Sequence, residues 1–317
     1  GEGLLVTSDG VTLRDFAVEN AKGDAIKAKG ADRIVFHRVR AEWTGGPKPT
    51  NGAYGIYPVG SNGVLIDGVV AKGASDAGIY VGQSKAITVR YSRAEGNVAG
   101  IEIENSRNAL VTTNFVSRNT GGILVFDLPN LPVKGGGDVL IERNLVVAND
   151  TPNFAPPGNI VASVRRGTGA MVMANENVTV RSNVFDDNPT AHVMVVSYPR
   201  PYTDKAYDPT PRRVVLGINH FGRGGYDPQV PAKAALLKAF GGALPPVLWD
   251  GLGDPATTLA LAKGYKAWTL GLPRQGADPA TGKPAPVTLP ATLPGLAEPD
   301  VHAAIGAPPE LDARIAP

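Results

Sequence analysis

Three acidic residues on two neighbouring segments carry most of the chemistry this chain could perform. In Gly100-Ile101-Glu102-Ile103-Glu104-Asn105 two glutamates alternate with isoleucines, and Asp127 ends the similar run Gly122-Ile123-Leu124-Val125-Phe126-Asp127. Two carboxyl groups about 5 to 9 Å apart can divide the acid and base roles of glycoside hydrolysis. With carbonyl oxygens, Glu102, Glu104 and Asp127 could instead hold Ca²⁺, a hard cation that prefers oxygen ligands. In a β-elimination or epimerisation, such a cation or an arginine neutralises the substrate carboxylate while a Lys, Arg or Tyr removes the α proton. Lys134, Arg165 and Arg166 are the candidates for base or clamp. Aromatic rings stack on sugars, so Tyr57, Tyr80, Phe126 and Tyr202, with Asn153, are the candidate substrate-binding residues. The plainer alternative pairs the acidic residues with Arg107 or Arg143 on a solvated face.

Other reactive residue types offer less. The four histidines, at 37, 192, 220 and 302, have no metal-ligand spacing, and His192 falls at an inward position where a satisfied core imidazole is expected. There is no cysteine, which excludes disulfides, thiolate chemistry and Cys-ligated metals. Gly135-Gly136-Gly137 is followed by neither Lys-Ser/Thr nor a helix, so it is no phosphate loop. No Ser-His-Asp arrangement follows from the spacings.

The elements that must position these residues repeat. Ala109-Leu110-Val111-Thr112-Thr113-Asn114 leads to Asn119, Val139-Leu140-Ile141-Glu142-Arg143-Asn144 to Asn149, and Val178-Thr179-Val180-Arg181-Ser182-Asn183 to Asn188. Copies beginning at 11, 34, 64, 87, 109, 139, 178 and 214 are separated by 23, 30, 23, 22, 30, 39 and 36 residues. The unit is one coil of about 22 to 23 residues, and longer coils carry insertions. Each coil holds short runs of alternating apolar and polar residues, which read as strands, punctuated by Gly, Asn, Asp and Ser at turns. Fixed-period self-similarity of this size predicts a solenoid of stacked parallel strands with an apolar interior. Asn114, Asn144, Asn183 and Asn219 recur at one turn, where each can hydrogen-bond the next, so their role is structural.

Alternation turns Glu102 and Glu104 outward. In-register stacking then gives one outward column of Lys27, Tyr57, Tyr80, Glu102, Leu124 and Met171, and another of Lys29, Val59, Gly82, Glu104, Phe126 and Met173. Coils about 4.8 Å apart, and alternate residues about 6.6 Å apart, put Glu102, Glu104, Tyr80 and Asp127 in one patch. Insertions after Asp127 (with Lys134) and after Asn149 (with Asn153, Phe154, Arg165 and Arg166) return to the same sheet, and long loops on one face of a solenoid are often its binding face. A further insertion, Tyr198 to Arg213, adds Tyr202 and Tyr207, and another brings Trp43 and Tyr54.

The serial Gly-Ile-x-Val/Ile strands with Asn turns resemble the right-handed parallel β-helix of the pectate lyase-like superfamily. Asn119 to Pro129, Asn153-Phe154-Ala155-Pro156 and Gly167 to Met173 resemble, more narrowly, a bacterial family of parallel β-helix repeat proteins without an established activity. The resemblance covers residues 1 to 221 and implies polysaccharide lyases, hydrolases and epimerases among the relatives, although fold alone does not fix function. The paired-Asp motifs associated with pectin hydrolases of this fold are absent.

The sequence therefore predicts an all-β protein, a single-stranded right-handed parallel β-helix of about eight coils over 1–221. A Pro/Gly-rich segment, 222–317, is expected to cap it with short helices at Pro231 to Phe240 and Thr257 to Gly264. A formal charge of +2 without a basic run or an 18-residue apolar stretch gives no case for nucleic acid or a membrane span. The first repeat begins without a cap, so a missing N-terminal segment with an export signal is expected, and with it a periplasmic or extracellular location. The expected partner is an acidic polysaccharide or surface glycan, with Ca²⁺ the one cofactor suggested. The competing class is a non-catalytic scaffold docking a protein or glycan. An enzyme predicts a concave cleft where Glu102, Glu104 and Asp127 meet a Lys or Arg, whereas a scaffold predicts a flat face with dispersed salt bridges.

Overall fold

The computed structural model describes residues 1–230, 233–287 and 305–316. His302 and Pro231 lie outside them. Each coil contributes one strand to each of three sheets, of eleven, nine and eight strands among the described residues. The first sheet is built from the Gly-Ile-x-Val runs, such as Ala77–Gly82, Ala99–Glu104 and Gly121–Phe126. The second takes the Val-x-Val runs, such as Lys85–Arg90 and Arg107–Thr112, and the third takes three-residue strands such as Arg93–Glu95. Successive coils pair in parallel, and the expected outward columns stand in register: Tyr80 beside Glu102, Glu102 beside Leu124, Leu124 beside Met171, and Glu104 beside Phe126.

Inward residues stack by type. Ile56, Ile79, Ile101 and Ile123 form one column and are fully buried. Burying each such side chain contributes roughly 1.5 to 3 kcal/mol. The asparagine ladder stands as read: Asn114 Nδ2 donates to Asn144 Oδ1 at 3.0 Å, Asn144 to Asn183 at 3.0 Å and Asn183 to Asn219 at 2.9 Å. A second ladder runs at the next turn through Asn97, Asn119, Asn149 and Asn188. It ends on His192, whose Nδ1 lies 3.2 Å from Asn188 Nδ2. This buried histidine is a satisfied core residue, and burial holds its pKa down.

The second ladder explains the glycine of the Gly-Ile-x-Val run. A Cβ at Gly100 would stand 2.8 Å from Asn119 Nδ2 and 2.6 Å from Val116 Cγ1, and one at Gly78 would stand 2.5 Å from Asn97 Nδ2. Gly is therefore the companion of the Asn that packs behind it.

The sheets do not stop at Phe221. Val247–Trp249 and Trp268–Thr269 extend the first sheet, and Leu259–Leu261 extends the second. Unpaired edges of a parallel sheet need covering, and this segment supplies both the cover and nearly one more coil. Where a helix was expected from Thr257, the chain makes a single turn, Pro255–Thr258, capped by Asp254, and then a strand. Leu259 pairs with Val214, and sheet pairing overrides the local helical propensity. The other helix forms over Lys233–Ala239 and packs Leu236 on the flank of the first sheet, with the Phe240 and Trp268 rings edge-on 4.6 Å apart. Trp249 instead enters the interior.

Residues 305–316 return to the early coils and lie on the outside of the second sheet. Leu311 is fully buried there against Val35 and Leu65, and Arg314 donates to the carbonyl oxygens of Gly10 and Arg33.

Candidate functional site

The outward face of the first sheet is not an open groove. The 150–167 insertion lies across it, with Val161 and Val164 buried against Leu124, Phe126, Met171 and Met173. Asn153 organises this insertion, donating to the carbonyls of Val161 and Val164 and accepting from Ala155 N, so its amide faces the loop and not a ligand. Tyr198, Tyr202 and Tyr207 pack edge-to-face on the same covered surface, with centroids 5.0 to 6.4 Å apart.

Beneath this cover lies an acidic cluster of Glu102, Glu104 and Asp76. Alternation in Ala99–Glu104 turns both glutamates out of the barrel, where the cover seals them: Glu102 is 1% exposed and Glu104 7%. Both Glu102 carboxyl oxygens are buried without a hydrogen-bond partner. Glu104 accepts the Tyr80 hydroxyl at 2.6 Å, and Asp76 Oδ2 accepts Asn159 Nδ2 from the insertion at 2.8 Å. Burial dominates the electrostatics, with mutual repulsion added, so Asp76 and Glu104 are pushed up to about 7 and Glu102 well above the usual carboxyl range.

Three tyrosines adjoin the cluster at 4.4 to 4.9 Å between centroids: Tyr54, Tyr57 and Tyr80. Tyr80 is buried, whereas Tyr54 and Tyr57 are half-buried and form the cluster's outer margin. Burial raises the Tyr57 hydroxyl to about 12, and Lys27 Nζ stands 4.5 Å from its ring centroid while pairing with Asp24.

The sequence candidates separate accordingly. Of the expected patch of Glu102, Glu104, Tyr80 and Asp127, the structure gathers Glu102, Glu104 and Tyr80, with Tyr57 from the same column beside them. Asp127 lies close enough for its charge to add to burial in pushing Glu104 up, but it is tied into a structural role, in which its Oδ1 accepts Gly136 N at 2.9 Å and closes the 128–136 loop, while its carbonyl accepts the Tyr207 hydroxyl. Phe126 is fully buried under the insertion and serves packing. The expected cations do not converge on the carboxylates. Lys134 pairs with Asp204, and Arg166 pairs with Asp150 and, at 2.6 Å, with Asp227. Arg165 is exposed and makes no ion pair among the described residues. The plainer alternative fails as well, because Arg107 pairs with Asp138 and Glu176, and Arg143 reaches Glu142. The carboxylates are sealed and share no cation among the described residues, so neither the expected cleft nor the flat salt-bridged face is seen there. Among the described residues, no three His, Asp or Glu side chains are arranged to hold a metal ion, so the Ca²⁺ reading of Glu102, Glu104 and Asp127 finds no ligand set.

Sequence reasoning missed Asp76 and Asn159. The signal for Asp76 was there: in the coils that follow, Val98 and Thr120 stand in its place before the Gly-Ile run, so an aspartate at a buried, column-forming position is out of pattern. Asn159 lies in an insertion without a repeat to register it, and only the folded loop brings it across 83 residues to Asp76.

The profile described as the right handed beta helix region matches residues 2–135 and 50–203. The chain belongs to the right-handed β-helix family. The handedness expected for parallel crossovers is thereby met. Among solved structures, the β-helix is similar to a double mutant of the periplasmic alginate epimerase AlgG, at 15% identity and a TM-score of 0.41, over 77% of this chain and 55% of that one. It is similar to the mannuronan C-5 epimerase AlgE4 A-module of Azotobacter vinelandii, at 11% identity and 0.36, over 71% and 77%. It is also similar to the DFA-IIIase of Arthrobacter chlorophenolicus, at 13% identity and 0.40, over 82% and 60%. The chain spans about half the length of the first of these. Likeness at this level reaches no further than the fold. No curated protein matches the sequence. No helix among the described residues is long and apolar enough to cross a membrane.

Proposed function

We propose that this β-helix acts on a glycan outside the cytoplasm, with Glu102, Glu104 and Asp76 as the acid–base group and Tyr54 and Tyr57 as the sugar-stacking margin. The observation that carries this reading is Glu102, a buried carboxyl with no partner for either oxygen, beside two carboxyls that titrate near neutrality. Desolvated acids that cost stability and pair with nothing are characteristic of sites kept for chemistry. Raised, mutually repelling carboxyls hold one group protonated and another ionised at neutral pH, which is what general acid–base work on a glycosidic bond requires.

The charge balance also favours a neutral sugar over a uronate. Elimination or epimerisation at a uronate needs a cation at the substrate carboxylate. Lys134 and Arg166 are engaged elsewhere, Arg165 is an exposed residue of the cover, and a uronate here would meet the ionised member of the cluster. The 150–167 insertion must lift for substrate to enter, which breaks the Asn159–Asp76 bond and uncovers Val161 and Val164.

The closed cover gives a second reading its footing. In it, the acids stay protonated under a permanent lid and the protein is a non-catalytic binding scaffold. Incubating the protein with a panel of neutral oligosaccharides and following product release, for wild type, Glu102→Gln and Glu104→Gln, separates the two. Turnover that falls by about 10² or more in either variant supports the enzyme. Silence across the panel, with both variants merely more stable, supports the scaffold.

A further inference from the structure

The turn joining the first and second sheets carries a cavity of about 330 Å³, walled on one side by the 128–136 loop. That volume lies in the range of small-ligand sites and suits one or two sugar units. Its rim differs from the acidic cluster, with amides and cations beside a single carboxylate. Asn62, Gln83 and Lys85 present two amides and an ammonium, none of which bonds another side chain among the described residues. Asp32 adds a half-buried carboxylate, of which Oδ1 accepts Asn62 N. Val133, 44% exposed, offers an apolar patch.

At the back stands Ser61, 3% exposed, whose Oγ has no partner. The next two coils show what is missing. Ser84 occupies the same turn and donates its hydroxyl to the Gly82 carbonyl while accepting Ser61 N, and Ser106 Oγ accepts Ser84 N and donates to the Glu104 carbonyl. Ser61 is the end of this serine ladder, a residue of the cavity wall whose buried hydroxyl has no protein partner. A buried hydroxyl left unpaired is destabilising, so a ligand atom that reaches and pairs it relieves that penalty.

We infer that this cavity is a second saccharide-binding site, taking a neutral mono- or disaccharide whose hydroxyls bond the amides of Asn62 and Gln83, Lys85 and Asp32. Arg107 and Lys134 also line the cavity but are bound to Asp138 and Glu176 and to Asp204, so the groups left for a ligand are amides that donate and accept, Lys85 that donates and Asp32 that accepts, a mixture that matches sugar hydroxyls. The C–H face of a pyranose fits against Val133. The site lies at the C-terminal ends of the strands Tyr54–Val59 and Ala77–Gly82, so it would hold a chain at the edge of the covered sheet. It goes beyond the acid–base reading and does not depend on it.

Saturation-transfer NMR with cellobiose, mannobiose and lactose tests the inference on wild type, on the Gln83→Ala/Lys85→Ala double variant and on Glu102→Gln. All three proteins can be checked for folding by circular dichroism, and the double variant changes only side chains outside the interior. Saturation transfer to at least one disaccharide, kept in Glu102→Gln and weakened at least about tenfold in Kd by the double variant, is the expected result. Transfer that survives the double variant, or that is lost in Glu102→Gln, places binding elsewhere and overturns it. So does the absence of transfer from all three sugars. Competition by inorganic phosphate alone would show an anion site in its place.

Discussion

At the scale of single residues, the acidic cluster makes stability depend on pH in a direction opposite to that of salt-bridged carboxylates. Asp76 and Glu104 rise from ordinary carboxyl values to about 7 on folding, and Glu102 rises further, because burial penalises the charged form. A raised group leaves the protein most stable below the unfolded pKa, and that stability is lost as pH rises through the folded pKa. The melting temperature is therefore expected to fall between about pH 4 and pH 8. Glu102→Gln, which removes the charge and keeps the shape, should flatten that fall and raise stability at pH 8. Thermal unfolding followed by circular dichroism across this range checks it, and a parallel fall in the variant would mean that the cluster is not its cause. A different residue effect concerns Gly100, whose Cβ would press on Val116 Cγ1 and Asn119 Nδ2; Gly100→Ala should cost roughly 1 to 3 kcal/mol in urea unfolding.

At the scale of elements, the Asn ladder and the insertions behave differently. Asn144 joins three coils, donating to the Val111 carbonyl, donating to Asn183 and accepting from Asn114 N. Asn144→Ala strands those buried groups and should cost about 2 to 4 kcal/mol, measured by urea unfolding. The 150–167 insertion is held from outside the repeat, by Val161 and Val164 packed on the sheet, the Asn159–Asp76 bond, Arg200 on the Gly158 and Asn159 carbonyls, and Arg166 on Asp227. Asn159→Ala should speed amide exchange across 150–167 while leaving the ladder strands protected, as hydrogen exchange with mass spectrometry would show. This contrast also explains what could be read from the chain. Repeats report themselves, so the strands, both outward columns and the ladder from Asn114 to Asn219 followed from spacing alone. Insertions have no register. Nothing in the spacing says that Asn153 turns inward to its own loop, that Lys134 goes to Asp204, or that Asn159 crosses to Asp76. The walls expected around Glu102 and Glu104 turned out to be a roof.

At the scale of the whole molecule, the C-terminal part closes the solenoid twice. Its strands extend the first and second sheets past residue 221, a continuation hidden by the Pro/Gly-rich composition, and residues 305–316 return to clasp the early coils. Leu311→Ala should cost about 2 to 5 kcal/mol if the clasp stays docked, and less if the segment detaches, which amide exchange at Val35 and Leu65 would report. The proposed acid–base site thus lies under one cover on one sheet of a right-handed β-helix. The most direct test of that claim is the pH dependence of turnover on whichever neutral oligosaccharide is cleaved or rearranged. A bell-shaped kcat/KM profile centred near pH 7, with one limb removed in Glu104→Gln, is the predicted result. Turnover that is independent of pH from about 5 to 9, or unchanged by both Glu102→Gln and Glu104→Gln, would contradict it.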